Sequence, residues 1–293
     1  MNLFIQQTLD GLSSGALYGA LALALVLVFR ASGIVNFAQA EMALFATFVV
    51  WQLYSWGIPL WVAILVGAAF GFAMGATVER VLIRPFPSTD HLPLIIVTLG
   101  LMLVVHGMAA WIWGYNTKDL PPVFGSSTVS IGPASMSLQA IGIIVVVAAM
   151  SGILWLLFFR TKTGLAIRAA SANPESASLS GIPVQRTLLI GWGLAGAVGA
   201  VVGALAAPQL FLQPNMVAPL LLYAFAAATL GGFESPVGAL VGGLIVGVVE
   251  NLVATYFPFV GNDFKIGVAL AMIVGVLLIR PQGLFGTVKV ARV

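Results

Sequence analysis

Glu41, His106 and Glu250 are the side chains of this sequence best suited to move a proton or hold a cation in an apolar setting, because each interrupts a long hydrophobic run. An ionisable group at membrane depth needs a partner or a water-filled cavity and is a functional candidate by default. Three such groups at one depth would describe an intramembrane enzyme. Their positions argue against it: Glu41 falls early in its run and is expected near the inner face, Glu250 late in its run and near the outer face. His106, mid-run beside Gly107, reads as a packed, hydrogen-bonded residue, and Glu79 as the interfacial partner of adjacent Arg80.

Two familiar patterns occur without their contexts. Gly191-Trp192-Gly193-Leu194-Ala195-Gly196 fits G-x-G-x-x-G, but it lies inside an apolar run with no preceding strand and no water-exposed phosphate site. Gly11-Leu12-Ser13-Ser14-Gly15 fits G-x-S-x-G without a strand-to-helix elbow or a His–acid pair. No G-x-x-x-x-G-K-[ST] occurs, so any hydrolysis of ATP with Mg belongs to a different subunit. The absence of cysteine removes disulfides, thiolate metal sites and cysteine nucleophiles. The expectation is a chain with no catalytic residue, no metal site and no cofactor of its own.

Composition dictates the elements that hold these residues. The 293 residues are 60% hydrophobic and 7% charged, with a mean hydropathy of +1.09, which excludes an ordinary soluble domain. The net charge of +3 does not signal a nucleic-acid partner, because the cations sit at the ends of apolar runs and not on one basic face. The opening MNLFIQQTLD lacks the cationic region of a signal peptide and is expected to be retained. Hydropathy places membrane spans at 11–29, 34–56, 60–80, 92–113, 137–159, 187–207, 218–232, 237–256 and 264–279. The expected fold is therefore an all-α polytopic transmembrane protein of about nine spans (roughly eight to ten), in one domain over 1–293, with 218–232 and 237–256 open to being half-helices. Arg30, Arg80, Arg84, Arg160, Lys162, Arg168, Arg186, Arg280, Lys289 and Arg292 then fall inside, and only Lys118 and Lys265 outside. This bias puts the N-terminus outside and the C-terminus in the cytoplasm. A re-entrant 34–56 would turn Arg80 and Arg84 outward, so that run is read as a full span. Glycines four residues apart, as in Gly15–Gly19, Gly67–Gly71–Gly75 and Gly243–Gly247, predict close helix crossings.

Two breaks and two loops remain. Between the first two spans, Asn36 is read as an N-cap with Gln39 three residues on and Glu41 in the first turns of the following helix. Gly231-Gly232-Phe233-Glu234-Ser235-Pro236 breaks the second half, and aligning Phe37 with Phe233 also matches Ala43 with Ala239 and Leu44 with Leu240, which suggests an internal duplication. Interrupted hydrophobic segments in both halves point to a substrate pathway in transporter folds; caps at ordinary turns are the alternative. The loop 114–136 is turn-rich through Pro121-Pro122, Gly125 and Gly132-Pro133, and Trp111, Trp113 and Tyr115 mark an outer aromatic belt beside it. The polar segment 160–186 reads as two short helices, with Thr163 capping a start at Gly164, Asn173 capping a second at Pro174, and Gly181 closing it left-handed before Pro183. A loop that only fixes topology needs no more than its cations. This one adds capped helices, as a docking surface would.

The run LYGALALALVLVFRASGIVNFAQAEMALFA resembles the N-terminal signature of LivH-type permeases of branched-chain amino acid ABC transporters, with its Asn-Phe-Ala-x-x-Glu run at Asn36 to Glu41. VERVLIRPF (78–86), TGLAIRAASANPESASLSGIPV (163–184), LGGFESPVGALVGGLIVGVVE (230–250) and IRPQGLFG (279–286) follow in the family's order over nearly the whole chain. The resemblance implies a subunit of a bacterial inner-membrane importer that works by ATP-driven alternating access. Its partners would be a second related permease, two cytoplasmic ATPase subunits carrying ATP and Mg, and a periplasmic solute-binding protein meeting the loop 114–136. It implies an ATPase-coupling loop at 160–186, with Gly164, Arg168, Ala169, Asn173 and Gly181 at the matching positions. Asn36, Phe37, Gln39, Glu41, Glu234, Ser235 and Pro236 are the candidate translocation pathway. The family often has His-Gly before the acidic residue, where this sequence has Gln39-Ala40. Family members also carry urea and short amides, and an ion-coupled secondary transporter is the rival from another class.

Overall fold

The computed structural model describes residues 2–86, 91–132, 134–257 and 264–286; Pro133, Lys289 and Arg292 lie outside them. In lipid an apolar run can satisfy its backbone only as a helix or a closed barrel, and here the runs are helices. In chain order they are α1 (Asn2–Ser32), α2 (Gln39–Ser55), α3 (Leu60–Val78), α4 (His91–Trp113), α5 (Leu138–Arg160), α6 (Lys162–Ala172), α7 (Pro174–Leu179), α8 (Val184–Leu210), α9 (Val217–Gly231), α10 (Pro236–Tyr256) and α11 (Lys265–Ile279). Among the described residues, α1, α3 with its extension to Ile83, α4, α5, α8 and α10 are long and apolar enough to cross a membrane; α9 and α11 are apolar but shorter. The chain is an all-α polytopic membrane protein.

Among the described residues one sheet accompanies the helices. β1 (Thr128–Ile131) and β2 (Ala134–Ser137) form an antiparallel hairpin, with Thr128 opposite Ser137, at the end of the loop read from sequence as turn-rich. Thr128-Val129-Ser130-Ile131 alternates polar with β-branched apolar residues, and Gly132 takes φ +62 at the turn. Gln6 of α1 grips this hairpin with both ends of its amide: Nε2 donates to the Ser135 carbonyl and Oε1 accepts from the Ser135 N–H, each at 2.9 Å.

The centre of the bundle is α1, buried throughout Ala20–Val28. Along one side it runs antiparallel to α10, with Gly11 facing Gly247, Gly15 facing Gly243 and Gly19 facing Leu240. A β-carbon at Gly15 would stand 2.6 Å from the Gly243 carbonyl oxygen, so the two backbones are in direct contact. The glycines of α3 serve the same end against α8, where Gly71 faces Gly196 and Gly75 faces Trp192. These close crossings give the helices their association in lipid, where apolar burial supplies little drive.

Two helices begin inside the layer, not at its edge. α2 runs parallel to α8, with Gln39 against Ala195, Ala43 against Gly199 and Thr47 against Gly203. Ala195 is eleven residues, about 16 Å, beyond the start of α8 at Val184. The run 34–56 is therefore not a continuous span: 33–38 rises as irregular backbone and the helix starts at Gln39. Glu41 consequently lies deeper than its sequence position indicated. Likewise the α1–α10 register puts Pro236 near Leu23, nine residues (about 13 Å) short of the end of α1 at Ser32. The carbonyls that end α9 are satisfied by the segment after α11: the Leu284 N–H donates to Leu230 O at 2.8 Å and the Phe285 N–H to Gly231 O at 3.1 Å. That contact explains the local role of IRPQGLFG.

Candidate functional site

The first break is held by side chains that replace a regular helix start. Asn36 does not cap α2. Its Oδ1 accepts from the Ala38 N–H at 3.1 Å, a two-residue turn, and its Nδ2 donates to Gln39 Oε1 at 3.3 Å. Gln39 Nε2 then donates to the Ala195 carbonyl at 2.9 Å, tying the break to α8. Asn36 and Gln39 are both fully buried, as irregular backbone at this depth requires. Phe37 packs on Phe225 of α9, with ring centroids 5.5 Å apart. In the second break Ser235 caps α10 by accepting from the Gly238 N–H at 2.9 Å, Pro236 occupies the first helical position, and Phe233 meets Phe29 of α1 at 5.3 Å.

Glu41 reaches across to α4, where its Oε2 lies 3.3 Å from His106 Nδ1. The pair is mid-helix on α4, so Glu41 is not near an inner-face boundary. Glu250 does not join them: it is buried beside Tyr18 and Tyr223, whose rings stack on each other (centroids 4.5 Å), with Lys265 nearby. Lys265 Nζ donates to the adjacent Asn251 Oδ1 at 3.2 Å. The described residues contain no cluster of three metal-ligating side chains. Replacing Glu41 with glutamine keeps a hydrogen-bonding group opposite His106, so the chain should stay folded while transport falls several-fold. Glu41→Ala leaves His106 without this partner at depth and should cost about 1–3 kcal/mol, read as a lowered melting temperature in detergent.

Glu79 pairs with Arg84 and not with its neighbour Arg80. Arg84 donates through Nη2 at 2.8 Å and Nε at 3.3 Å to the two carboxylate oxygens. The cause is a π-turn over Glu79–Ile83, closed by the Arg84 N–H donating to Glu79 O at 2.8 Å. Its wider turn brings residue i+5 over residue i, where an α-helix would carry it away.

The segment 160–186 folds as two capped helices. Thr161, and not Thr163, caps α6, accepting from the Gly164 N–H at 3.1 Å; Asn173 caps α7 by accepting from Ser176 N–H at 2.9 Å, with Pro174 first and Glu175 in the first turn. Gly164 seats α6 against the end of α5, where a β-carbon would enter the Phe158 backbone. Gly181 is left-handed at φ +80. Arg168 and Ala169 are half-buried, and the Arg168 guanidinium lies over the Phe159 ring at 5.0 Å. Outward the hairpin presents Leu165 and Leu179, the latter 91% exposed.

A cavity of about 870 Å³ joins these parts. It lies below the two breaks, bounded by Arg30–Gly33 at the end of α1, Glu234 of the second break, Glu79 and Arg84 of the π-turn, Arg168 of α6 and the start of α8. Of the sequence-predicted residues, Arg168 and Glu234 line it, while Asn36 and Gln39 are sealed above it. Arg30 and Arg84, read only as topological cations, are part of its wall.

Residues 7–277 match the family described as the branched-chain amino acid transport system permease component. The chain is 29% identical to the high-affinity branched-chain amino acid transport system permease protein LivH of Salmonella typhimurium, over 99% of its length and 98% of the relative's. It is 31% identical to a probable branched-chain amino acid transport permease protein LivH of Methanocaldococcus jannaschii, over 91% of this chain and 87% of that one. Its fold also resembles PsaBC from Streptococcus pneumoniae solved with a Fab, at a TM-score of 0.50 and 16% identity over 95% of this chain and 92% of that chain. The chain belongs to the family of LivH-type permease components of branched-chain amino acid transport systems.

Proposed function

We propose that this chain is the inner-membrane permease subunit of an ATP-driven importer for branched-chain or related amino acids. It pairs with a second related permease, carries two ATPase subunits on the α6–α7 hairpin, and receives solute from a binding protein at the loop 114–136. The bacterial inner membrane is its site, with about nine membrane segments (eight to ten), the N-terminus outside and the hairpin in the cytoplasm. The observation that supports this most is the α6–α7 hairpin. Two caps and a left-handed glycine hold it rigid, its back is seated on α5, and its front exposes large apolar side chains to water. A rigid, sticky projection at the end of a membrane bundle fits a lever pushed by another subunit, switching the bundle between two states. Both broken segments converge on the cavity behind it.

The test is purification of the tagged chain, followed by reconstitution of whatever assembles with it. ATPase subunits should co-purify, and leucine uptake should require Mg-ATP and survive a protonophore. Leu179→Asp should cut ATPase retention about tenfold without loss of the permease pair. At the other end, the Lys118 N–H donates to the Leu212 carbonyl at 2.8 Å, so the loop 114–136 and the 208–217 turn form one surface. Cross-linkers at Asn116 and Gln213 should both capture the binding protein. A second reading, an ion-coupled transporter, draws on the mid-depth Glu41–His106 pair. Uptake by the chain alone that collapses with a protonophore would favour it and defeat the first.

A further inference from the structure

We infer that Phe211 is an aromatic anchor that seats in an apolar pocket of the solute-binding protein. The partner's identity rests on the importer reading above; the anchor itself rests on the backbone. Phe211 ends α8 at φ +59 and ψ +110, a conformation that a residue with a β-carbon adopts only under strain. The eight other positive-φ positions among the described residues are all glycines. A glycine would end α8 here without that cost. The phenyl ring does not recover it by packing within the chain, because Phe211 is 62% exposed. Strain of this kind persists where the surroundings over-determine the backbone, and it concentrates at functional positions. Here both flanks are fixed. The Phe211 N–H donates to Ala207 O at 2.9 Å, and the next residue, Leu212, is fully buried, its carbonyl accepting from the Lys118 N–H at 2.8 Å. The ring is therefore held outward on a mount that cannot relax by turning.

Its place in the fold selects the kind of partner. α8 runs 27 residues, about 40 Å, from Val184 beside the α6–α7 hairpin to Leu210. Phe211 thus stands at the opposite end of the bundle, on the surface where the 208–217 turn is joined to the loop 114–136. Leu210 is exposed next to it, and uncharged amides flank the pair: Gln209, Gln213 and Asn215 in the turn, and Asn116 two residues before Lys118. An apolar centre within a rim of hydrogen-bonding groups is the make-up of a protein–protein hot spot, where one aromatic seated in a pocket supplies much of the binding energy. A lipid surface requires neither the rim nor the fixed backbone, since interfacial aromatics settle at the headgroup level by their own amphipathic character. The partner is a soluble protein whose apolar pocket accepts a phenyl ring and whose pocket edge hydrogen-bonds to amides.

The test uses the assembled transporter in proteoliposomes at saturating Mg-ATP, titrated with the solute-binding protein that drives its leucine uptake. Phe211→Gly should raise the half-saturating concentration of binding protein about tenfold or more, and leave the maximal uptake rate unchanged. The melting temperature of the purified Phe211→Gly chain should be no lower than wild type, because the substitution removes the strain. Phe211→Asn, which tolerates a left-handed backbone, should titrate like Phe211→Gly, and Phe211→Tyr like wild type. Benzoylphenylalanine at position 211 keeps the aromatic ring and should photo-cross-link to the binding protein. Wild-type half-saturation in Phe211→Gly would overturn the anchor, as would cross-linking to lipid or to the second permease instead. A melting temperature several degrees lower in both Phe211→Gly and Phe211→Asn would overturn it as well, by showing that the ring holds the fold. If no binding protein stimulates uptake, the importer reading fails and takes the anchor's partner with it. If the binding protein stimulates wild type and Phe211→Gly alike, the importer reading stands and only the anchor falls.

Discussion

Gly15→Leu is expected to leave almost no folded chain in the membrane, while Gly152→Ala leaves it at wild-type level. Both are helical glycines in apolar runs and differ in what surrounds them. At Gly15 a β-carbon alone would stand 2.6 Å from Gly243 O and 2.8 Å from the Leu244 Cα, which are backbone atoms that no rotamer change can move. At Gly152 nothing lies within 4 Å. Overpacking by a few methylenes typically costs about 1–3 kcal/mol where side chains can adjust, and here α1 and α10 must separate along the contact that Gly11, Gly15 and Gly19 share. Since α1 also supports α8 and α9, the displacement reaches most of the core. Gly152→Ala instead gains up to about 1 kcal/mol of helix propensity. Expression measured by fluorescence size-exclusion should show the monodisperse peak lost for Gly15→Leu, reduced for Gly15→Ala and unchanged for Gly152→Ala. An intact peak for Gly15→Leu would mean the α1–α10 contact is not what holds the bundle.

Hydropathy made the apolar helices legible because burying a backbone in lipid leaves few alternatives to a helix. Local chemistry made α7 legible: Asn173, Pro174, Glu175 and Gly181 each act within one turn of their own position. What sequence did not disclose depends on groups far apart along the chain. The 34–56 run is apolar throughout, yet α2 starts only at Gln39, because Asn36 and Gln39 find partners in the break and on Ala195, 156 residues from Gln39. The depth of Glu41 follows from that late start and from His106, 65 residues away. Glu79–Arg84 needed a π-turn, for which local sequence carries no distinct signal. Arg30 and Arg168 were visible only as cations that set topology, since nothing in their spacing of well over a hundred residues places them in one cavity. The β-hairpin is different: the alternation in Thr128–Ile131 before Gly132 was there to be read.

Gly181→Val should uncouple the transporter by a mechanism opposite to that of Gly15→Leu. Nothing lies within 4 Å of a β-carbon at Gly181, so the site has room for any side chain. Its constraint is the backbone. Gly181 closes α7 with φ +80: its N–H donates to Ser178 O at 2.9 Å and the next N–H, of Ile182, to Ala177 O at 3.0 Å, the paired bonds of a Schellman close. A residue with a β-carbon is strained in that conformation by about 1–2 kcal/mol, and a β-branched one by more. Relief comes from unwinding the end of α7, which carries Leu179 with it. A strain of that size shifts the population of a formed hairpin by a factor of roughly five to thirty. The expected order of ATPase retention and ATP-driven uptake is therefore wild type, then Gly181→Asn, which tolerates the left-handed region, then Gly181→Ala, then Gly181→Val. Insertion and pairing with the second permease should be unchanged across the series, because no transmembrane contact is touched. A flat series would mean that the shape of α7 does not matter to the ATPases, and the hairpin would be no more than a topological anchor. A series in which Asn behaves like Val would place the cost in side-chain bulk, against the open space around Gly181, and would point to a partner surface pressed directly on that glycine.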